Sequence, residues 1–119
     1  MAGGLTAAVI DTLQGAPATG MLIDLFRVQN GRGLRRHLRT VESAAAGPAA
    51  SALIDGDALQ PAIYELLFHV GRYFKERRVP LEGAGFLDVI PVRLTVIDAA
   101  RPHHLTLLAS PWSYTVYRI

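Results

Sequence analysis

The sequence predicts an all-β sandwich, and two observations lead there. Turn signals recur roughly every ten residues, at Gly15-Ala16-Pro17, Asn30-Gly31, Gly47-Pro48, Asp55-Gly56-Asp57, Gly83-Ala84-Gly85 and Arg101-Pro102. The runs between them are short and rich in β-branched and aromatic residues, which suit a pleated, half-buried surface.

Taken in order, strands are expected near residues 5–12, 21–29, 34–42, 51–54, 60–70, 88–97, 103–110 and 112–118. Thr40-Val41-Glu42 and Thr115-Val116-Tyr117 support their strands through β-branching. The segment from Gly71 to Val79 breaks the rhythm. Tyr73-Phe74-Lys75-Glu76-Arg77-Arg78 offers good helix formers and runs into Pro80, which cannot continue a helix, so one short helix is expected there. Ala44 to Ala50 is low in complexity, and no internal repeat or linker interrupts the chain.

At 119 residues the chain fits a single domain, 1–119, with one core. Half of its residues are apolar and 18% charged, which excludes a disordered class. Without cysteine, neither a disulfide framework nor a thiolate metal site can form. Met1-Ala2-Gly3-Gly4 lacks the flank of a secretory signal, no apolar run approaches the roughly 20 residues of a membrane span, and a cytoplasmic protein without a membrane partner is expected. Basic residues gather at Arg27, Arg32, Arg35, Arg36 and Arg39, and again at Lys75, Arg77 and Arg78. Interleaved exposed aromatics and a nucleic-acid module are both missing, so no nucleic-acid partner is expected and the arginines are read as solvated, with an anionic ligand as the lesser alternative.

The closing residues, Ser110-Pro111-Trp112-Ser113-Tyr114-Thr115-Val116-Tyr117-Arg118-Ile119, resemble the ending Ser-Pro-Trp-Ser-Tyr-Ser-Thr-Tyr-Arg-Gly-Ser of the 5-hydroxyisourate hydrolase and transthyretin family. Leu5-Thr6-Ala7-Ala8-Val9-Ile10-Asp11-Thr12 is similar to that family's Leu-Thr-Thr-His-Val-Leu-Asp-Thr opening. Tyr64-Glu65-Leu66, Phe68-His69-Val70-Gly71 and Phe86-Leu87-Asp88-Val89-Ile90-Pro91-Val92-Arg93 resemble its central blocks. The resemblance runs nearly end to end. It implies a transthyretin-like sandwich of two four-stranded sheets with one short helix, assembled as a homotetramer, a dimer of dimers around a central channel. It also implies a small-molecule ligand or substrate at the dimer–dimer interface.

Family hydrolases open the oxidised ring of 5-hydroxyisourate, in purine catabolism, with two His, an Arg and the terminal Tyr-Arg-Gly-Ser, and no cofactor is implied. A histidine can take a proton from water, an arginine can hold a planar anion, and a hydroxyl can complete the proton path. The first family His matches Ala8, which has no proton to move. The Arg of the family's Asp-Gly-Arg turn falls at or beside Pro48, and no arginine lies between Arg39 and Arg72. The second His matches His104, Tyr117 and Arg118 remain, and Ile119 stands in place of Gly without the following Ser. Three of four polar functions are thus expected to be missing, and catalytic groups that act as a unit do not retain a proportionate share of activity.

His104 is therefore the candidate catalytic residue, with Ala8, Pro48, Thr106, Leu108, Tyr117 and Arg118 at substrate-binding positions. Thr106, Tyr117 and Arg118 would orient a ligand over an apolar floor of Ala8 and Leu108. His103, alternating with His104, is expected on the outer face, which disfavours a metal pair; His69 is expected to be structural and His37 solvated. A Ser110, Asp98 and His104 triad has no support in spacing, and Trp112 and Tyr114 are read as packing aromatics. The preferred expectation is a repurposed enzyme acting on a small cyclic or heterocyclic molecule by ring opening, ring closure or proton transfer. A non-catalytic binding protein of transthyretin type and a hydrolase with compensating residues are the alternatives.

Overall fold

A computed structural model describes residues 3–29, 33–44, 51–79 and 86–118. The strands are β1 (Leu5–Asp11), β2 (Ala16–Pro17), β3 (Leu22–Val28), β4 (Arg35–Glu42), β5 (Ser51–Ile54), β6 (Ala62–His69), β7 (Val89–Val96), β8 (His103–Ala109) and β9 (Tyr114–Arg118), with one helix, α1 (Val70–Glu76). One sheet runs β2-β1-β8-β9 with β5 also pairing β1, and the other runs β4-β3-β6-β7. The all-β sandwich with one short helix is therefore the observed architecture. The two-residue β2, formed where the chain turns back after β1, makes the first sheet five-stranded.

Period-two alternation builds the core between the layers. Leu5, Ala7 and Val9 of β1, with Leu105, Leu107 and Ala109 of β8, point inward from one sheet. Ile23 and Leu25 of β3, Tyr64, Leu66 and Phe68 of β6, and Ile90 and Val92 of β7 meet them from the other. A buried side chain of this size contributes about 1.5–3 kcal/mol by leaving water. Sandwich packing thus dominates the folding energy.

Helix α1 closes one end of the sandwich. Val70, Tyr73 and Phe74, spaced three and four apart, form its buried face, and the Tyr73 and Phe74 rings meet edge to face at 5.0 Å. Gly71 allows the helix to approach the start of β7: a Cβ there would sit 2.9 Å from the carbonyl oxygen of Leu87. The helix stops at Glu76, earlier than its composition suggests. Arg77 N–H bonds back to the Tyr73 carbonyl, and Arg78 then turns into the left-handed region at φ 56°.

Asp11 joins this helix to the first turn. Its carboxyl is buried; one oxygen accepts the N–H groups of Leu13 and Gln14, and the other accepts the Tyr73 hydroxyl at 3.0 Å. Burial raises the Tyr73 pKa, and the Asp11 contact adds to the rise against the opposing Arg77 guanidinium stacked 4.3 Å over the ring. Replacing Asp11 by alanine strands the hydroxyl and two amides, so urea denaturation of Asp11→Ala is expected to show a loss of about 2–4 kcal/mol. Tyr73→Phe should cost less, because Asp11 keeps its two amide partners.

Candidate functional site

The site is built on the outer face of the five-stranded sheet. Strands β1 and β8 pair in parallel, with Thr6 beside His104, Ala8 beside Thr106 and Ile10 beside Leu108. Strand β9 adds Tyr117 beside Thr106 and Thr115 beside Leu108. Because alternate residues share a face, these side chains form three rows: Thr6 with His104, Ala8 with Thr106 and Tyr117, and Ile10 with Leu108 and Thr115. The face is thus graded, polar at the His104 end and more apolar at the Leu108 end.

His104 is half-buried, and its Nδ1 lies 2.7 Å from the Thr6 hydroxyl oxygen. A hydroxyl can donate or accept, so this contact holds the ring in either tautomer. Among the described residues no hydrogen bond reaches Nε2. Ala8 and Thr106 are buried, while Tyr117 is exposed.

Ala8, His104, Thr106, Leu108 and Tyr117 therefore share one face. Arg118 does not. It pairs with Leu105, whose side chain points to the core side, and so it rims a cleft of about 70 Å³ at the sheet edge with Leu5, Leu94 and His104. Pro48 lies outside the described residues. Thr6, which the sequence reading did not single out, is the nearest polar partner of the imidazole. Its signal was available: it lies two residues before Ala8, hence on the same face of the same strand.

His103 corrects an expectation. It is buried rather than on the outer face, and its Nε2 lies 2.8 Å from the Asp98 carbonyl oxygen, because the alternation places it on the side of Leu105 and Leu107. The Ser110, Asp98 and His104 grouping is not assembled, since Ser110 engages Ser113 and Trp112, the Asp98 carboxylate accepts the Ala100 N–H and His104 engages Thr6. His69 is held by Asp24 at 2.7 Å on the outer face of the second sheet, as a structural residue would be. His37 is half-exposed but not merely solvated: it lies 2.9 Å from the Thr40 hydroxyl and edge-on to Phe26. No group of three or more His, Asp or Glu side chains among the described residues is placed to hold a metal ion. No helix among them is long and apolar enough to cross a membrane.

Two stacked sheets capped by one helix, with a histidine presented on an outer sheet face, define a transthyretin-like β-sandwich. The chain belongs to the HIUase/Transthyretin family, whose profile matches residues 5–118. The 5-hydroxyisourate hydrolase of Ralstonia nicotianae is 43% identical over 116 residues, which cover 98% of this chain and 97% of that protein. Among solved structures, (S)-allantoin synthase superposes with a TM-score of 0.84 at 33% identity, covering 98% of this chain and 43% of its own. Sea bream transthyretin in complex with thyroxine shares the fold, with a TM-score of 0.77 at 20% identity over 98% of this chain and 94% of its own.

Asp24 supplies a pH test of the second sheet. Burial works to raise its pKa, but hydrogen bonds from Thr40 and His69, with the charges of His69 and His37, outweigh it and hold the carboxyl below its ordinary 3.8. A carboxyl whose pKa is lower in the folded than in the unfolded chain stabilises the fold above the unfolded value, and loses that effect as pH falls through the folded one. Asp24→Asn should therefore cost about 1–3 kcal/mol at pH 7 in denaturant unfolding. The gap to the parent protein should close as the pH is taken below 3.8.

Proposed function

We propose that this protein is a repurposed member of the family: an enzyme acting on a small cyclic or heterocyclic substrate, with His104 as its acid/base. The observation that carries this reading is the anchored imidazole, Nδ1 held by Thr6 and Nε2 free of hydrogen bonds among the described residues, beside the small Ala8. In the reaction Nε2 takes a proton from water or from a ring N–H or O–H, and returns it to the leaving atom as the ring opens, closes or isomerises. Thr106 and Tyr117 offer hydroxyls to orient the ring, and Ile10 and Leu108 receive its apolar part.

Ala8 is the reason to separate this chain from its hydrolase relatives. The family's first histidine has no counterpart on this face, and Pro48 stands at or beside the position of the anion-holding arginine. Loss of one general acid/base group typically slows a reaction about 100- to 10,000-fold. In an ultraviolet assay, 5-hydroxyisourate turnover is expected to fall short of an ordinary family hydrolase by at least that range. A screen of hydantoins, dihydropyrimidines, lactams and lactones, followed by absorbance and NMR, is the search for the substrate. On any substrate so found, His104→Ala should abolish turnover without changing assembly. Unchanged turnover would remove His104 from the mechanism.

A second reading rests on the apolar row and the small Ala8, which also suit ligand storage without chemistry, as in the thyroxine complex of sea bream transthyretin. Under it, His104→Ala weakens affinity by only about 1–3 kcal/mol. The two readings part on whether any screened compound is converted or merely bound.

We further propose that the working form is a homotetramer with the site where dimers meet. Among the described residues strands β7 and β9 each end their sheet with an unpaired edge, and such edges need a partner or protection. Closed symmetric pairing supplies one. Light scattering is expected to give four chains across micromolar concentrations; a monomer throughout would sink the proposal.

A further inference from the structure

The arginines of β3 and β4 have no part in the site above. Arg27 and Arg36 stand directly opposite one another in the antiparallel register, an arrangement of like charges that is unfavourable unless an anion lies between them. Among the described residues, neither forms an ion pair. Arg35 and Arg93 take up Glu65, and Arg35 also stacks over Phe26 at 4.2 Å. Arg27 instead donates to the neutral Gln60 Oε1 at 2.5 Å, and Arg39 to the Leu53 carbonyl at 3.3 Å. The Gln60 backbone is fixed in turn, since the Tyr64 hydroxyl donates to its main-chain carbonyl at 3.1 Å.

Two grooves meet at this pair. One, of about 600 Å³, runs along the end of the four-stranded sheet past Gln29, Pro61, Ile63 and Arg93. The other, of about 360 Å³, opens over Leu38 and Ala58, with the buried Leu25, Leu53 and Tyr64 as its floor and Arg39 at its side. Among the described residues Asp55 is the one acidic residue lining either groove, and it pairs with none of these arginines. The connection between β3 and β4 contains Asn30, Gly31 and Arg32 and thus adds no acidic side chain. Positive charge therefore stands at the mouth of an apolar recess, which is the usual composition of a site for a small molecule with one anionic end.

We propose that Arg27 and Arg36 form a binding site for a small amphiphilic organic anion. Its carboxylate or phosphate lies between the two guanidinium groups, and its apolar body enters the second groove. Guanidinium suits this task because its forked N–H donors match the paired oxygens of either group. Arg39 provides a further positive charge beside the recess. The site is independent of the His104 face, which belongs to the outer side of the other sheet.

Isothermal titration of the whole protein at low ionic strength, with sodium octanoate and with inorganic phosphate, tests the proposal. Octanoate should bind more tightly than phosphate, because only octanoate fills the recess. Arg36→Gln, a change at an exposed position, should weaken octanoate at least about tenfold, and the pair Arg27→Gln with Arg36→Gln further still. Arg101→Gln, which removes one positive charge away from both grooves, should leave binding unchanged, as should His104→Ala. Circular dichroism confirms folding of each variant; if the double variant does not fold, Arg36→Gln alone decides. The proposal is overturned by octanoate that fails to bind, by phosphate binding as tightly as octanoate, by equal losses in the Arg36 and Arg101 variants, or by a loss confined to His104→Ala.

Discussion

The parallel pairing of β1 with β8 is the constraint on which the rest of the structure depends. Parallel neighbours cannot be joined by a tight turn, so the whole second sheet, the helix and β5 must be accommodated between them. Closing so long a loop costs entropy that only the finished core repays, through Leu5, Val9, Leu105 and Leu107 on the inner side of the pair. The outer side of that same pair is the candidate site. A one-residue slip of β8 against β1 would turn His104 inward and His103 outward, and would separate the imidazole from Thr6.

Buried polar groups show how the remaining elements are held to this frame. Asp11 ties the first turn to α1 through Tyr73, and Ser43 ties the end of β4 to Met21 and Ala18. His103 turns inward and engages the Asp98 carbonyl, so the loop before β8 is set by the residue next to the candidate catalytic one. Neighbouring histidines thus take opposite duties, and strand alternation alone separates them. Among the described residues no buried side-chain nitrogen or oxygen lacks a partner, as a well-specified interior requires.

The two sheets present different chemistry to their surroundings. The outer face of the five-stranded sheet is sparsely charged, with one imidazole, a few hydroxyls and small or aliphatic side chains. The four-stranded sheet carries Asp24, Glu65, Arg35 and Arg93 in ion pairs and hydrogen bonds, with His37 and His69 drawn into them. A fold does not by itself specify an activity; the side chains displayed on it do. On a frame shared with hydrolases and with transthyretin, this face sets the methyl of Ala8 beside Thr106, one row from His104.

The sequence by itself determined the order of strands, the single helix and the family, because period-two alternation, turn residues and a nearly full-length resemblance are all local or collinear signals. It also determined that His104, Thr106 and Leu108 share a face, since strand geometry needs no partner to decide it. Tertiary structure decided what lies beside them. Whether Thr6 or another residue meets the imidazole is a matter of register between β1 and β8, and register is set by long-range packing. The same holds for Arg118, adjacent to Tyr117 in the chain but opposite Leu105 on the other side of the sheet, and for the inward turn of His103. Arg27 and Arg36 are nine positions apart in the sequence; only the folded β3–β4 pair, opening onto a recess lined by Leu53 and Tyr64, turns a count of arginines into a concave site. Alternation along a strand is inherited from the backbone, whereas neighbours across strands exist only once the chain has closed upon itself.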